Sequence, residues 1–208
     1  MTLDESIRAV QAKLGVDVDG KPGPQTWAAI YAAIVGKKPV AEVRKKADEL
    51  IVTGGKVDDR SEKVIATLHE RVRPYGRALV QNAMDKGITI KLISGLRSYE
   101  EQAALYAKGR TKPGPKVTNA PPGYSNHNFG LAFDIGVFQG TKYLPESPLY
   151  KTVGAIGMEL GLEWGGNWKT IQDQPHFQLR PDWAQSMTEG VMLAELRNRK
   201  SAGKDAYA

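Results

Sequence analysis

Residues 131–138, Leu-Ala-Phe-Asp-Ile-Gly-Val-Phe, restrict the fold more than any other segment of the chain. Their alternation has a period of two, which is the signature of a strand and not of a helix. Leu131, Phe133, Ile135 and Val137 must then share one face, and Ala132, Asp134 and Gly136 the other. A strand with one wholly apolar face needs neighbouring strands and a layer packed on that face. On the opposite face a single carboxylate stands between small residues, which leaves room beside it for a metal ion or a substrate.

A second segment, Asp173-Gln174-Pro175-His176-Phe177-Gln178-Leu179, repeats the pattern. Phe177 and Leu179 point to the core, His176 and Gln178 point away, and Asp173 lies in the loop just before. Around these strands the chain reads as helices and loops. Helical spacing predicts helices over 4–14, 26–35 and 39–51, with Pro39 suited to a first turn. A long helix is expected over 61–86, kinked at Pro74. A β-branched run predicts a strand over 88–94. Ser98 with Glu101 forms a capping box that opens a helix over 98–109. Residues 110–125 are a basic, Pro- and Gly-rich loop. Further helices are expected over 148–161 and 184–200, and a strand over 176–180. Helices and strands mix without regular β-α-β alternation, so the class is α+β. The break at Thr53-Gly54-Gly55-Lys56 divides the chain into a small all-α module, 1–52, a linker, 53–60, and the larger domain, 61–200. Residues 201–208 are expected to be a disordered tail.

Gly55-Lys56 is no phosphate loop, because Leu50 stands where its first glycine belongs and Val57 replaces the Ser or Thr. The 208 residues include no cysteine, which excludes disulfides and thiolate metal sites. Any zinc must therefore use His, Asp or Glu, and the chain has only three histidines, His69, His127 and His176. The net charge of +6 favours polyanionic surroundings such as nucleic acid, anionic membrane or anionic cell wall. No nucleic-acid-binding motif accompanies the charge, so nucleic acid is not expected as a partner. No apolar run approaches the ~20 residues of a transmembrane helix, and stable membrane insertion is not expected. Residues 1–12 lack the basic-then-apolar pattern of a signal peptide.

His127, Asp134 and His176 are the candidate metal ligands, the other reading of each histidine being a hydrogen-bonded core residue. Two imidazoles and one carboxylate are a standard catalytic zinc set that keeps a fourth position open for water. A further carboxylate beside it, not a ligand, can act as general base. His69 has only Glu70 beside it, which points elsewhere on a helix, and is read as structural.

The pattern Ser125-x-His127-x-x-Gly130-x-Ala132-x-Asp134, followed by Asp173-x-x-His176-Phe177, resembles the zinc D-Ala-D-Ala carboxypeptidase and L-alanyl-D-glutamate endopeptidase family, which includes many phage endolysins. The resemblance runs over about residues 58–185 and takes in Ser94-Gly95-Leu96-Arg97-Ser98 and Leu162-Glu163-Trp164-Gly165-Gly166. It implies a small antiparallel-sheet peptidase domain holding one Zn²⁺ on His127, Asp134 and His176. Asp173 would be the general base, and Arg97 would steady the scissile carbonyl as charge develops on it. Ser125, Gln102 and Trp164 would contact substrate. Residues 5–35 resemble a small peptidoglycan-binding domain through Gln11-x-x-Leu14-Gly15 and Asp19-Gly20-x-x-Gly23-Pro24-x-Thr26-Trp27, with Pro22 departing from its usual pattern. Together these imply a monomeric phage-type endolysin that cuts the L-Ala–D-Glu amide of peptidoglycan. It would be made in the host cytoplasm and would reach the wall once the membrane opens. The alternatives are a D-Ala-D-Ala carboxypeptidase and a non-catalytic wall-binding protein with a structural zinc.

Overall fold

The computed structural model describes residues 2–23, 26, 27, 29, 30 and 33, then 55–169 and 171–208. The chain divides into two compact units, Met1–Lys45 and Lys46–Ala208. The expected helix over 39–51 lies outside the described residues.

In the first unit, helix α1 spans Leu3–Leu14. Thr2 and Glu5 form a capping box at its start, and Gly15 ends it in the left-handed region at φ 68°. Residues 26, 27, 29, 30 and 33 are also helical. What ties these pieces together is Gln11, which is fully buried. Its side-chain nitrogen donates to Asp19 Oδ1 at 2.7 Å, to Lys21 O at 3.0 Å and to Thr26 Oγ1 at 3.0 Å. Its oxygen accepts from Gly20 N at 2.9 Å. The glutamine, aspartate, glycine and threonine singled out in the sequence are thus one hydrogen-bonded hub.

The second unit is a sheet whose apolar core is shared with three helices, Asp59–Ile65, Arg73–Asp85 and Leu149–Glu159. Helix α2 spans Asp59–Ile65 and α3 Arg73–Asp85. They are two helices and not the single kinked one expected, because Pro74 opens α3 in its first turn, where a missing N–H costs nothing. The strands are β1 Thr89–Ser94, β2 Ala132–Gln139, β3 Lys142–Leu144, β4 Glu163–Trp164 and β5 His176–Gln178. Helix α4, Tyr99–Ala107, carries the Ser98/Glu101 capping box. Helices α5, Leu149–Glu159, and α6, Glu189–Ser201, complete the unit.

The five-stranded sheet runs β1-β2-β5-β4, with β3 also on β2, and every pairing is antiparallel. Register follows from the alternation. Ile90 faces Val137, Leu92 faces Ile135 and Phe177 faces Phe133. These residues join Leu79, Val153 and Leu160 in one apolar core. On the other face the same register sets Asp134 opposite both Ser94 and His176, and Gln178 opposite both Ala132 and Glu163. The short strands β3 and β4 were not foreseen, since three or two residues are too few to show a period.

Residues 201–208 are not a free tail. Tyr207 packs against both apolar clusters, and its hydroxyl donates to Leu179 O at 2.8 Å. His69 Nε2 lies 2.9 Å from Asp205 Oδ2, so this histidine is structural, with the tail as its partner.

Candidate metal centre

Three elements bring the candidate ligands together. Asp134 comes from the middle strand, His176 from the strand beside it, directly opposite. His127 comes from a single 3-10 turn, Asn126–Phe129, that leads into β2. Gly130 closes this turn at φ 71°, a conformation that costs a glycine nothing. Arg97 N donates to His127 O at 2.9 Å and fastens the turn to the end of β1.

The donor atoms form a near-regular triangle. His127 Nε2 lies 3.3 Å from Asp134 Oδ1, His176 Nδ1 lies 3.2 Å from the same oxygen, and the two nitrogens are 3.2 Å apart. Zinc bonds of about 2.0–2.1 Å in a tetrahedron separate neighbouring ligand atoms by about 3.3 Å. The triangle therefore matches three corners of a zinc site. Among the described residues, this is the group of His, Asp and Glu able to hold a metal ion.

The tautomers fit as well. His127 Nδ1 lies 2.8 Å from Gly95 O, which can only accept, so the proton sits on Nδ1 and Nε2 keeps its lone pair for the centre. His176 uses the opposite pair of atoms. Its Nε2 lies 3.0 Å from Gln178 Oε1 and its Nδ1 faces Asp134. Each imidazole thus offers the nitrogen that its outer partner leaves bare.

Electrostatics point the same way. Burial alone would push the Asp134 carboxyl up, but the facing imidazoles, His127 first, outweigh it and hold it well below the usual carboxylate range. Burial likewise opposes charge on His176, yet its hydrogen bond to Asp134 and that carboxylate's charge raise it. Two imidazoles set against one carboxylate are a donor set in which a divalent ion can take the place of a proton.

Asp173 precedes His176 by one tight turn, in which His176 N donates to Asp173 O at 3.2 Å. A Cβ on Gly165 would come within 2.5 Å of Asp173 O, so only glycine lets this loop lie so close. Burial, and next the charge of Asp134, push the Asp173 carboxyl above its ordinary value, against the pull of His176, His127 and Arg97. Arg97 reaches Asp134 Oδ2 at 3.7 Å. Its guanidinium is held by Gln102 Oε1 at 3.0 Å and by Ser94 Oγ at 3.2 Å.

Two expected substrate contacts are corrected. Gln102 is fully buried and both ends of its amide are used, on Arg97 and on Ala120 O at 2.7 Å. It aims Arg97 and has no exposed atom for a substrate. Trp164 is 8% exposed and belongs to the apolar core, with its indole N–H donated to Gln174 O at 2.8 Å. Leu162 and Trp164 alternate in the sequence, and their shared face was the available signal. The aromatic at the site is Trp168, 39% exposed, whose ring centre lies 4.9 Å from that of His176. Ser125 is half-buried at the start of the turn that carries His127, and its side chain makes no capping hydrogen bond there.

Comparison with known proteins adds the family. A family model described as D-alanyl-D-alanine carboxypeptidase, VanY, matches residues 65–178. The peptidoglycan L-alanyl-D-glutamate endopeptidase CwlK of Bacillus subtilis (strain 168) is 37% identical over an alignment of 131 positions that covers 57% of this chain and 77% of CwlK. Among solved structures, the L-Ala D-Glu endopeptidase ChiX of Serratia marcescens is 23% identical at a TM-score of 0.47, covering 62% of this chain and 92% of its own. The D,D-pentapeptidase VanY of a VanB-type vancomycin-resistance cassette, solved with Zn(II), is 18% identical at a TM-score of 0.44, covering 67% of this chain and 81% of its own.

Proposed function

The chain belongs to the VanY D-alanyl-D-alanine carboxypeptidase family, and from that premise we propose that it is a zinc endopeptidase cutting the L-Ala–D-Glu amide of peptidoglycan stem peptides. The observation that carries this reading is the triangle of His127, Asp134 and His176, whose edges suit zinc. The choice of bond rests on the 37% identity to an endopeptidase of that specificity.

When bound, zinc supplies a Lewis acid and an acidified water at neutral pH. The chain's own residues do the rest. His127, Asp134 and His176 would hold the ion. Asp173 would take the proton from the attacking water and pass it to the leaving amine. Arg97 stays charged, and its donors meet the oxygen of the scissile carbonyl as negative charge builds there. Gln102 and Ser94 fix the direction of that guanidinium. Ser125 offers a hydroxyl to the substrate.

The bond suits a lytic, endolysin-type role. Cutting between L-Ala and D-Glu severs load-bearing stems, whereas removing a terminal D-Ala breaks no crosslink. The first unit, built around the Gln11 hub, serves in this reading as the wall-binding module. Digestion of purified sacculi followed by labelling of new amino groups and mass spectrometry tests the proposal. The expected label falls on D-Glu, with L-Ala left on the glycan. Free D-Ala as the sole product would establish the carboxypeptidase reading instead.

A further inference from the structure

Behind His176, five side chains close a ring that no proposed step of the reaction uses. Asn126 Nδ2 donates to Gln178 Oε1 at 2.7 Å and also to Glu189 Oε1. Arg180 Nη2 donates to Glu189 Oε2 at 2.8 Å, and Arg180 Nε donates to Glu163 Oε1. Gln178 Nε2 donates to Glu163 Oε2 at 2.6 Å, which closes the circuit. The ring gathers the 3-10 turn, β4, β5 with the residue after Leu179, and α6. Gln178 is the member that touches the metal centre, through His176 Nε2 at 3.0 Å.

The chemistry of the ring is specific. Glu163 accepts from the Gln178 nitrogen, so that end of the amide must be nitrogen, and the oxygen must face Asn126 and His176. An amide turned the other way would put its N–H₂ against the His176 N–H and its oxygen against a carboxylate. The ring thus fixes the Gln178 amide, the amide fixes the His176 tautomer, and Nδ1 is left bare for the metal. It also keeps both carboxylates off the imidazole, Glu163 one side chain away and Glu189 two. A carboxylate accepting directly would add negative charge at the ligand and weaken the ion as a Lewis acid; the neutral amide orients without doing so. The arrangement leaves Asn126 Oδ1 buried and without a hydrogen-bond partner among the described residues.

We propose that Gln178 is a positioning residue for the metal centre and that Glu163 acts through it, by locking the amide whose oxygen orients His176. This rests on the zinc reading above. Zinc affinity, measured by competition with a chromophoric chelator at fixed pH, tests it together with the visible spectrum of the cobalt(II)-substituted protein. Gln178→Leu should lower zinc affinity by about 10- to 100-fold and alter the cobalt bands. Glu163→Ala, which frees the amide to turn, should lower affinity in the same direction by less. Glu163→Gln keeps an oxygen for the Gln178 nitrogen and should restore both affinity and spectrum. Glu163 has a side chain 38% exposed, so its two variants decide the matter even if Gln178→Leu fails to fold. Unchanged affinity and spectrum in Glu163→Ala, or equal losses in the alanine and glutamine variants, would overturn the inference. Failure of the unsubstituted protein to bind zinc or cobalt would instead overturn the metal reading on which it stands.

Discussion

The two faces of β2 do different work with alternate residues of one strand. On one face Phe133, Ile135 and Val137 are fully buried in an apolar core, and Phe133 stacks on Phe177 with ring centres 5.9 Å apart. On the other, Asp134 is 19% exposed and shares hydrogen-bonding distance with two imidazoles. The contrast teaches that stability and chemistry are separable at single-residue spacing here. The core face is held by area removed from water, which is non-directional. The site face is held by donors and acceptors whose direction matters to a few tenths of an ångström.

The largest effect that could break this contrast belongs to the site face. Asp134→Asn keeps the shape but removes the charge that the two histidines share. The expected outcome is loss of zinc and of peptidase activity to background, with the circular dichroism spectrum of the native fold retained. His176→Ala should do the same. Metal analysis of the purified variants checks both, and a fully active Asp134→Asn protein would mean that the triangle is not the metal centre.

Next comes Asp173, beside the centre but assigned as base and not ligand. Asp173→Asn should keep zinc and lose about 10²–10⁴-fold in rate, the usual range for general-base catalysis. Loss of zinc along with rate would make Asp173 a ligand and reopen the role of Asp134.

The core face gives the third test. Phe133→Ala should cost about 3–5 kcal/mol of stability through the cavity it leaves. That corresponds to roughly 6–20 °C in Tm for a domain of this size. Zinc bound per folded molecule should stay at the unsubstituted level below the new transition. If zinc is lost while the fold persists, the two faces are coupled and the separation argued above fails.

How much of this was legible beforehand depended on the range of the signal. The alternation in 131–138 and 173–179 is local, and it placed Phe133 and Phe177 on one face and Asp134 and His176 on the other, as the register has them. The capping box of Ser98 and Glu101 is equally local and was read directly. Exposure is not local. The family resemblance implies that Trp164 contacts substrate, but Gly154 and Gly166 leave room for its indole in the core. Gln102 has the look of a surface helix residue until Arg97, five residues before it, and Ala120, from a later loop, use up its amide. Trp168 had no such neighbour in the sequence to mark it, since its position over His176 arises only when the loop folds back. The ring behind His176 joins residues 126, 163, 178, 180 and 189, a separation no short motif spans.

The smallest expected effect concerns the first unit. A chain starting near Lys56 retains every residue assigned to the metal centre and the whole of the apolar core that carries β2. Its activity on soluble muropeptides should therefore match that of the full chain. On intact sacculi the substrate is insoluble, and a second attachment raises its local concentration without any new contact at the active site. Removal of residues 1–55 should then lower the rate on sacculi several-fold, and more at dilute enzyme than at concentrated enzyme, because tethering matters most when free encounter is rare. Gln11→Ala in the full chain is the finer probe, since it deletes the hub that links α1 to the Asp19–Thr26 segment while leaving the second unit untouched. It should reproduce the sacculus defect of the shortened chain and spare soluble substrate. Equal rates on sacculi for all three proteins would assign the first unit a structural part only, and would leave recognition of the wall to the peptidase unit itself.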